Sequence, residues 1–146
     1  MSVALLSMDA YAAQSPKGRA LTDVSATTQV VDPAVLASLD EAWEEGEPDL
    51  IVDLIDLYLG DAPQWVEAIR AAAVSQNATL LRRAAHTLKG SSGSLGIRQV
   101  AETCRRLEQL DGSDSAARVA ALLPRLDREF AKARAALAAE RVRRVA

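Results

Sequence analysis

The chain has 146 residues, enough for one domain of ordinary size and too few for a catalytic domain with a separate regulatory one. Apolar residues make up 49% of it but aromatics only 3%, so a core must be filled mainly by Leu, Val, Ile and Ala, which favours helices packed on helices. A net charge of -3 argues against a nucleic-acid binder, because neutralising phosphates needs a concentrated basic surface.

The average conceals a division. Between Asp32 and Ile69 stand eleven acidic residues and no Lys or Arg, whereas between Arg70 and Arg106 stand seven basic residues against one acidic, Glu102. Such stretches either meet a charged partner or attract each other, and charge alone does not choose. Cys104, the single cysteine, has no partner for an internal disulfide, which suits a reducing compartment. No run approaches the roughly 18 apolar residues of a membrane span. The short apolar patch Val3–Leu6 has no basic residue before it, so no secretory signal is read and the expected location is the cytoplasm, in solution.

Residues 1–31 mix Ser, Ala, Thr and Gln, and Ser15-Pro16-Lys17-Gly18 breaks any regular element; a flexible tail is expected there, followed by one helical domain over residues 32–146. Asp32-Pro33 supplies an N-cap acceptor and a proline for the first helical position. Leu36, Leu39 and Trp43 follow at helical spacing, and Gly46 closes a short helix. A second helix is predicted from Pro48, burying Ile51, Leu54, Ile55, Tyr58, Trp65, Val66, Ile69 and Ala73. Pro63 cannot donate to the carbonyl of Leu59, which predicts a bend or a restart. The third opens near Asn77 with Leu81, Ala84, Ala85 and Leu88 on one face, and Ser94-Leu95-Gly96 predicts a turn. A fourth carries Ile97, Val100, Ala101, Cys104 and Leu107 and ends near Asp111-Gly112. The last starts at Ser113 or Asp114 and runs through Leu122, Leu123, Leu126, Phe130, Ala133 and Leu137 with a bend at Pro124. Its basic end, Arg141, Arg143 and Arg144, suits the negative pole of the helix dipole. No alternating pattern of strand length occurs. The predicted fold is all-α, an antiparallel four-helix bundle with a short additional N-terminal helix.

His86 is the only histidine. That excludes a zinc site built on paired histidines, and one Cys with one His cannot complete the usual four-ligand shell. Nucleophilic serine chemistry lacks its strand-turn-helix motif, and Lys89-Gly90-Ser91-Ser92 has the wrong order for a nucleotide-cradling loop. No metal site and no cofactor of the chain's own are expected. At about 100° per residue, His86 stands about 140° from Leu81 and about 200° from both Ala84 and Leu88, off the apolar stripe and facing outward. Arg82, Arg83, Lys89 and Gly90 lie within about 60° of it and Gly93 within about 20°. Each glycine inside a helix costs on the order of 1 kcal/mol relative to Ala. Two on the imidazole's face leave bare backbone where another molecule can come close; the plainer reading is that Gly93 starts the helix end and Gly90 relieves crowding.

A neutral imidazole, with an unperturbed pKa of about 6.5, is nucleophilic and can accept a phosphoryl group on a ring nitrogen. Lys89, one turn on, either screens the charge so acquired or is a solvated surface lysine, while Arg82 and Arg83 would attract an acidic pocket. If helices three and four run antiparallel about the Ser94–Gly96 turn, residues whose numbers sum to roughly 190–194 lie level, which sets Glu108 opposite His86. Its carboxylate either takes the imidazole N–H and exposes the other nitrogen, or pairs with Arg105 or Arg82.

The run Leu81-Arg82-Arg83-Ala84-Ala85-His86-Thr87-Leu88-Lys89-Gly90-Ser91-Ser92, then Leu95-Gly96, and Cys104 with Leu107-Glu108, closely resembles the histidine-containing phosphotransfer (HPt) domain of bacterial multistep phosphorelays. Asp61-Ala62-Pro63 within an apolar helix is similar to that family too, and the likeness covers about residues 32–140. The resemblance implies a bundle whose exposed histidine takes a phosphoryl group from the receiver-domain aspartate of a hybrid histidine kinase and passes it to the aspartate of a response regulator. It implies His86 as phosphoacceptor, Lys89 as its charge-stabilising neighbour, Gly90 as the small residue allowing close approach and Glu108 as orienter of the imidazole. Arg82, Arg83 and Gly93 are expected on the docking face. The expected protein is a monomeric, stoichiometric carrier without autokinase activity, and magnesium belongs to the receiver's acidic pocket. The alternative is a helical adaptor or histidine-kinase inhibitor that keeps the bundle without using the histidine.

Overall fold

Three of the five helices among the described residues start at a side chain that satisfies their free amides. In the computed structural model, which describes residues 29–146 apart from residue 113, Asp32 accepts from the Ala34 amide at 2.9 Å and opens α1 (Pro33–Glu41). Asp49 accepts from the Ile51 and Val52 amides at 2.9 and 3.3 Å and opens α2 (Leu50–Val74). Asn77 accepts from the Leu80 amide at 3.1 Å and opens α3 (Ala78–Ser94). Neither α4 (Arg98–Gln109) nor α5 (Ser115–Val145) has a side-chain cap. No strand occurs among the described residues. The tail expected over residues 1–31 lies almost wholly outside them.

Helix α3 packs on α2 and α4, and α5 packs on the same two, which closes a four-helix bundle with α1 against α2. The centre is aliphatic: Ile51, Ile55 and Ile69 of α2, Leu88 of α3, Leu107 of α4 and Leu126 and Leu137 of α5 are essentially inaccessible. Two polar links cross it. The Tyr58 hydroxyl lies 2.8 Å from that of Ser92, buried between α2 and α3, and burial pushes the phenol pKa up to about 12. Thr103 of α4 donates at 2.5 Å to Glu129 of α5, whose other oxygen takes Arg125 at 2.9 Å.

Several boundaries differ from expectation. Helix α2 begins at Leu50 instead of Pro48 because the capping carboxylate is that of Asp49. Helix α1 stops at Glu41, and Trp43, expected on its buried face, is 40% exposed. Its indole N–H donates to the carbonyls of Glu47 and Pro48 at 2.9 and 3.0 Å and so ties the α1–α2 loop together. Leu54, Trp65 and Ala73 are half-buried rather than core. Helices α2 and α5 run through Pro63 and Pro124 without restarting. A proline forfeits one amide bond, and buried residues on both sides, such as Ala62 and Val66 around Pro63, keep each helix seated.

The α3–α4 turn also fixes α1. Gly96 has φ +78°, and a Cβ there would lie 3.0 Å from Val35 Cβ and 3.1 Å from Asp32 Cβ. Its carbonyl accepts from the Asp32 amide at 2.9 Å, while Arg98 pairs with the Asp32 carboxylate at 2.8 Å. At the opposite end of α1, Arg144 lies 3.0 Å from Asp40 and 3.3 Å from Asp49 and also pairs with Glu140 at 2.7 Å. Arg141 meets Asp56 at 2.5 Å. Most cross-helix ion pairs of the acidic stretch are therefore with the C-terminal end of α5, and Arg82 and Arg83 stay exposed with no ion pair among the described residues.

Candidate functional site

The stripe Leu81, Ala84, Ala85 and Leu88 is buried, and that rotation of α3 leaves the His86 side chain 67% exposed. Across the α3–α4 hairpin, Glu108 follows core residues Cys104 and Leu107 and sits in the seam between the helices, 23% exposed. One carboxylate serves two partners. His86 Nδ1 lies 2.6 Å from Glu108 Oε2, and Lys89 Nζ lies 2.6 Å from Oε1. Oε1 is shut off from solvent, and among the described residues the Lys89 ammonium is its only counterpart. Lys89 first and His86 second hold the Glu108 carboxyl below its ordinary value of 4.5, against the opposing effect of burial. An ionised carboxylate only accepts, so Nδ1 carries the proton and the lone pair resides on Nε2. Nε2 has no hydrogen-bond partner among the described residues.

Of the two arrangements left open for Glu108, the structure has the one facing the imidazole. Arg105 is engaged by Glu102 and Gln109, and Arg82 points into solvent. Sequence reasoning placed Lys89 and Glu108 separately beside His86 and missed their pairing. The hairpin register held a signal for it, since Lys89 is one turn from the residue level with Glu108 and its long stem spans that offset.

Around the ring the surface is bare. A Cβ on Gly90 or Gly93 would meet nothing within 4 Å, so Gly90 relieves no crowding in the folded chain. Gly93 lies in the last turn of α3, its carbonyl taking the Gly96 amide at 3.1 Å. Thr87, Ser91 and Ser94 donate to the carbonyls of Arg83, Thr87 and Gly90 at 3.0, 3.1 and 2.9 Å, one turn back along the same helix. Between α2 and α3 run two shallow grooves. One of about 220 Å³ lies beside Leu57, Asp61, Ser91 and Ser94. The other, about 450 Å³, lies beside Trp65, Leu80, Arg83 and Thr87. Behind the site, burial pushes the Cys104 thiol up to about 12, which keeps it protonated and inert. Among the described residues, no group of three His, Cys, Asp or Glu side chains stands close enough to hold a metal, and no helix is long and apolar enough to cross a membrane.

Fold and site define an antiparallel helical bundle that presents one imidazole to solvent, its inner nitrogen anchored and its outer one open. Comparison with known proteins places it further. The model of the Hpt domain matches residues 53–141. The crystal structure of histidine-containing phosphotransfer protein B from Pseudomonas aeruginosa PAO1 is 33% identical, with a TM-score of 0.66, over 80% of this chain and 97% of that one. No curated protein matches. The chain belongs to the Hpt domain family, and with it has a phosphotransfer role in a phosphorelay. Members of that family are phosphocarriers that interact with receiver domains.

Proposed function

We propose that this protein is a cytoplasmic, monomeric, stoichiometric carrier that accepts a phosphoryl group on Nε2 of His86 from the receiver aspartate of a hybrid histidine kinase and delivers it to the receiver aspartate of a response regulator. The observation that carries this reading is the His86 side chain itself: 67% exposed, with Nδ1 anchored to Glu108 at 2.6 Å and Nε2 without a hydrogen-bond partner among the described residues. In the step, the Nε2 lone pair forms the P–N bond as the P–O bond of the acyl phosphate breaks, and that electron pair returns to the aspartate. Nδ1 keeps its proton, and the Glu108 carboxylate offsets the positive charge the ring acquires. Lys89 faces the phosphoryl oxygens, which bring about -1.5 to -2 charges.

Docking falls to the exposed side of α2 and α3. Gly90 and Gly93 leave backbone where the receiver must approach, and Arg82 and Arg83 draw its acidic pocket by long-range attraction. That pocket supplies the magnesium. As a carrier, the chain is charged once and discharged once per cycle. Incubation with a phosphorylated receiver is expected to place acid-labile, base-stable label on the wild type and none on His86→Gln; equal labelling of the variant overturns the assignment.

A further inference from the structure

One arrangement in the site is not needed for orienting an imidazole. The Lys89 ammonium, which faces the incoming phosphoryl oxygens in the reading above, is occupied in the unmodified protein by Glu108 Oε1 at 2.6 Å. That oxygen is closed to solvent and has no other partner among the described residues. The phosphoryl group arrives on Nε2, on the far side of the ring from the nitrogen that Glu108 holds through Oε2. Drawing the ammonium toward the phosphoryl oxygens lengthens its 2.6 Å contact with Oε1.

We propose that Glu108 and the phosphoryl group compete for Lys89, so that the carboxylate sets how far the phosphoryl equilibrium between receiver and carrier lies toward His86. The inference rests on His86 being the acceptor and deepens that reading by naming what tunes its transfer potential. Two opposing terms follow from the geometry. The phosphoryl group's larger charge pulls the ammonium outward. Departure leaves Oε1 as a shielded charge without a counterpart, which is unfavourable. The carrier thus holds its cargo less tightly than an imidazole beside an unengaged lysine would, and gives it up more readily to the next aspartate. When the phosphoryl group leaves, the ammonium returns to Oε1.

A double-mutant cycle isolates the competition. The wild type, Glu108→Gln, Lys89→Ala and the double variant are each equilibrated with one phosphorylated receiver and magnesium, and the ratio of phosphohistidine to phosphoaspartate is read from radiolabel. Gln keeps a carbonyl acceptor for Nδ1–H but carries no charge to retain Lys89. Glu108→Gln is expected to move the ratio toward His86 by about three- to tenfold more when Lys89 is present than in the Lys89→Ala background, the size of coupling usual for two groups in contact. Equal effects of Glu108→Gln in the two backgrounds overturn the proposal, because a carboxylate acting only on the ring, or only by repelling the phosphoryl group, does not depend on Lys89. Absence of label on the wild type is a different failure, that of the carrier assignment itself.

A second measurement needs no change at Glu108. The carboxyl carbon resonance of Glu108 is expected to shift on phosphorylation of the wild type and to shift clearly less in Lys89→Ala, where no ammonium departs. Identical shifts in the two proteins overturn the competition.

Discussion

At His86 one carboxylate decides which nitrogen reacts, and its state of ionisation is open to direct test. The Glu108 pKa is lower in the folded chain than its ordinary value of 4.5. The pairing stability it provides is fully present above that value and is lost as pH falls through the lower folded one. The stability difference between wild type and Glu108→Gln, from urea unfolding, is expected to shrink as the pH falls below about 4. A difference that grows below about pH 4 contradicts this. Gly90 invites the complementary substitution: its Cβ position is open space and a helix interior favours leucine over glycine, so Gly90→Leu should fold with a melting temperature at or above that of the wild type yet lose receiver binding by calorimetry. The level of His86 and Glu108 was legible in the spacing across a short hairpin, because helical rise and phase fix where a side chain begins. The hold of Glu108 on Lys89 was not, because the tip of a four-carbon stem goes to whichever acceptor is nearest in space.

At the level of helices and turns, two residues share left-handed backbone and should respond oppositely to substitution. Gly96, at φ +78°, has Val35 and Asp32 against it, so Gly96→Ala combines strain with overlap and is expected to cost about 1–3 kcal/mol. Gln76, at φ +57° in the α2–α3 turn, has its amide bonded to the Ala73 carbonyl at 3.2 Å, and Gln76→Gly should gain about 0.5–1 kcal/mol by removing the Cβ penalty. Thermal unfolding checks both, and a loss at Gln76 or no loss at Gly96 would refute the backbone argument. Helix starts were legible at Asp32 and Asn77, where a short polar side chain preceded the apolar period, but at Asp49 the neighbouring Pro48 drew the expected start two residues too early. The fate of Trp43 was not: helical phase put it on the buried side, but the helix had already ended and its N–H had nearer carbonyls to satisfy.

For the whole molecule, the fold class was written in the apolar periods, since five amphipathic segments with short connections have few other ways to bury their stripes. The charge division was harder to read, because its answer lies in pairs about 100 residues apart, such as Asp40 with Arg144. Arg144 is only 17% exposed and ties α1 and the α2 cap to the end of α5. Arg144→Met should therefore speed amide hydrogen exchange in α1 while leaving protection in α3 as it was, and equal acceleration in both would mean that the pair supports the bundle at large. The hydroxyls of Thr87, Ser91 and Ser94, already bonded within their own helix, give the exposed side of α3 a non-stick finish. A visiting surface finds those three hydroxyls already satisfied, with no bond to make to them on arrival or to abandon on leaving. Parting can then keep pace with meeting, and successive visitors can take turns at one place.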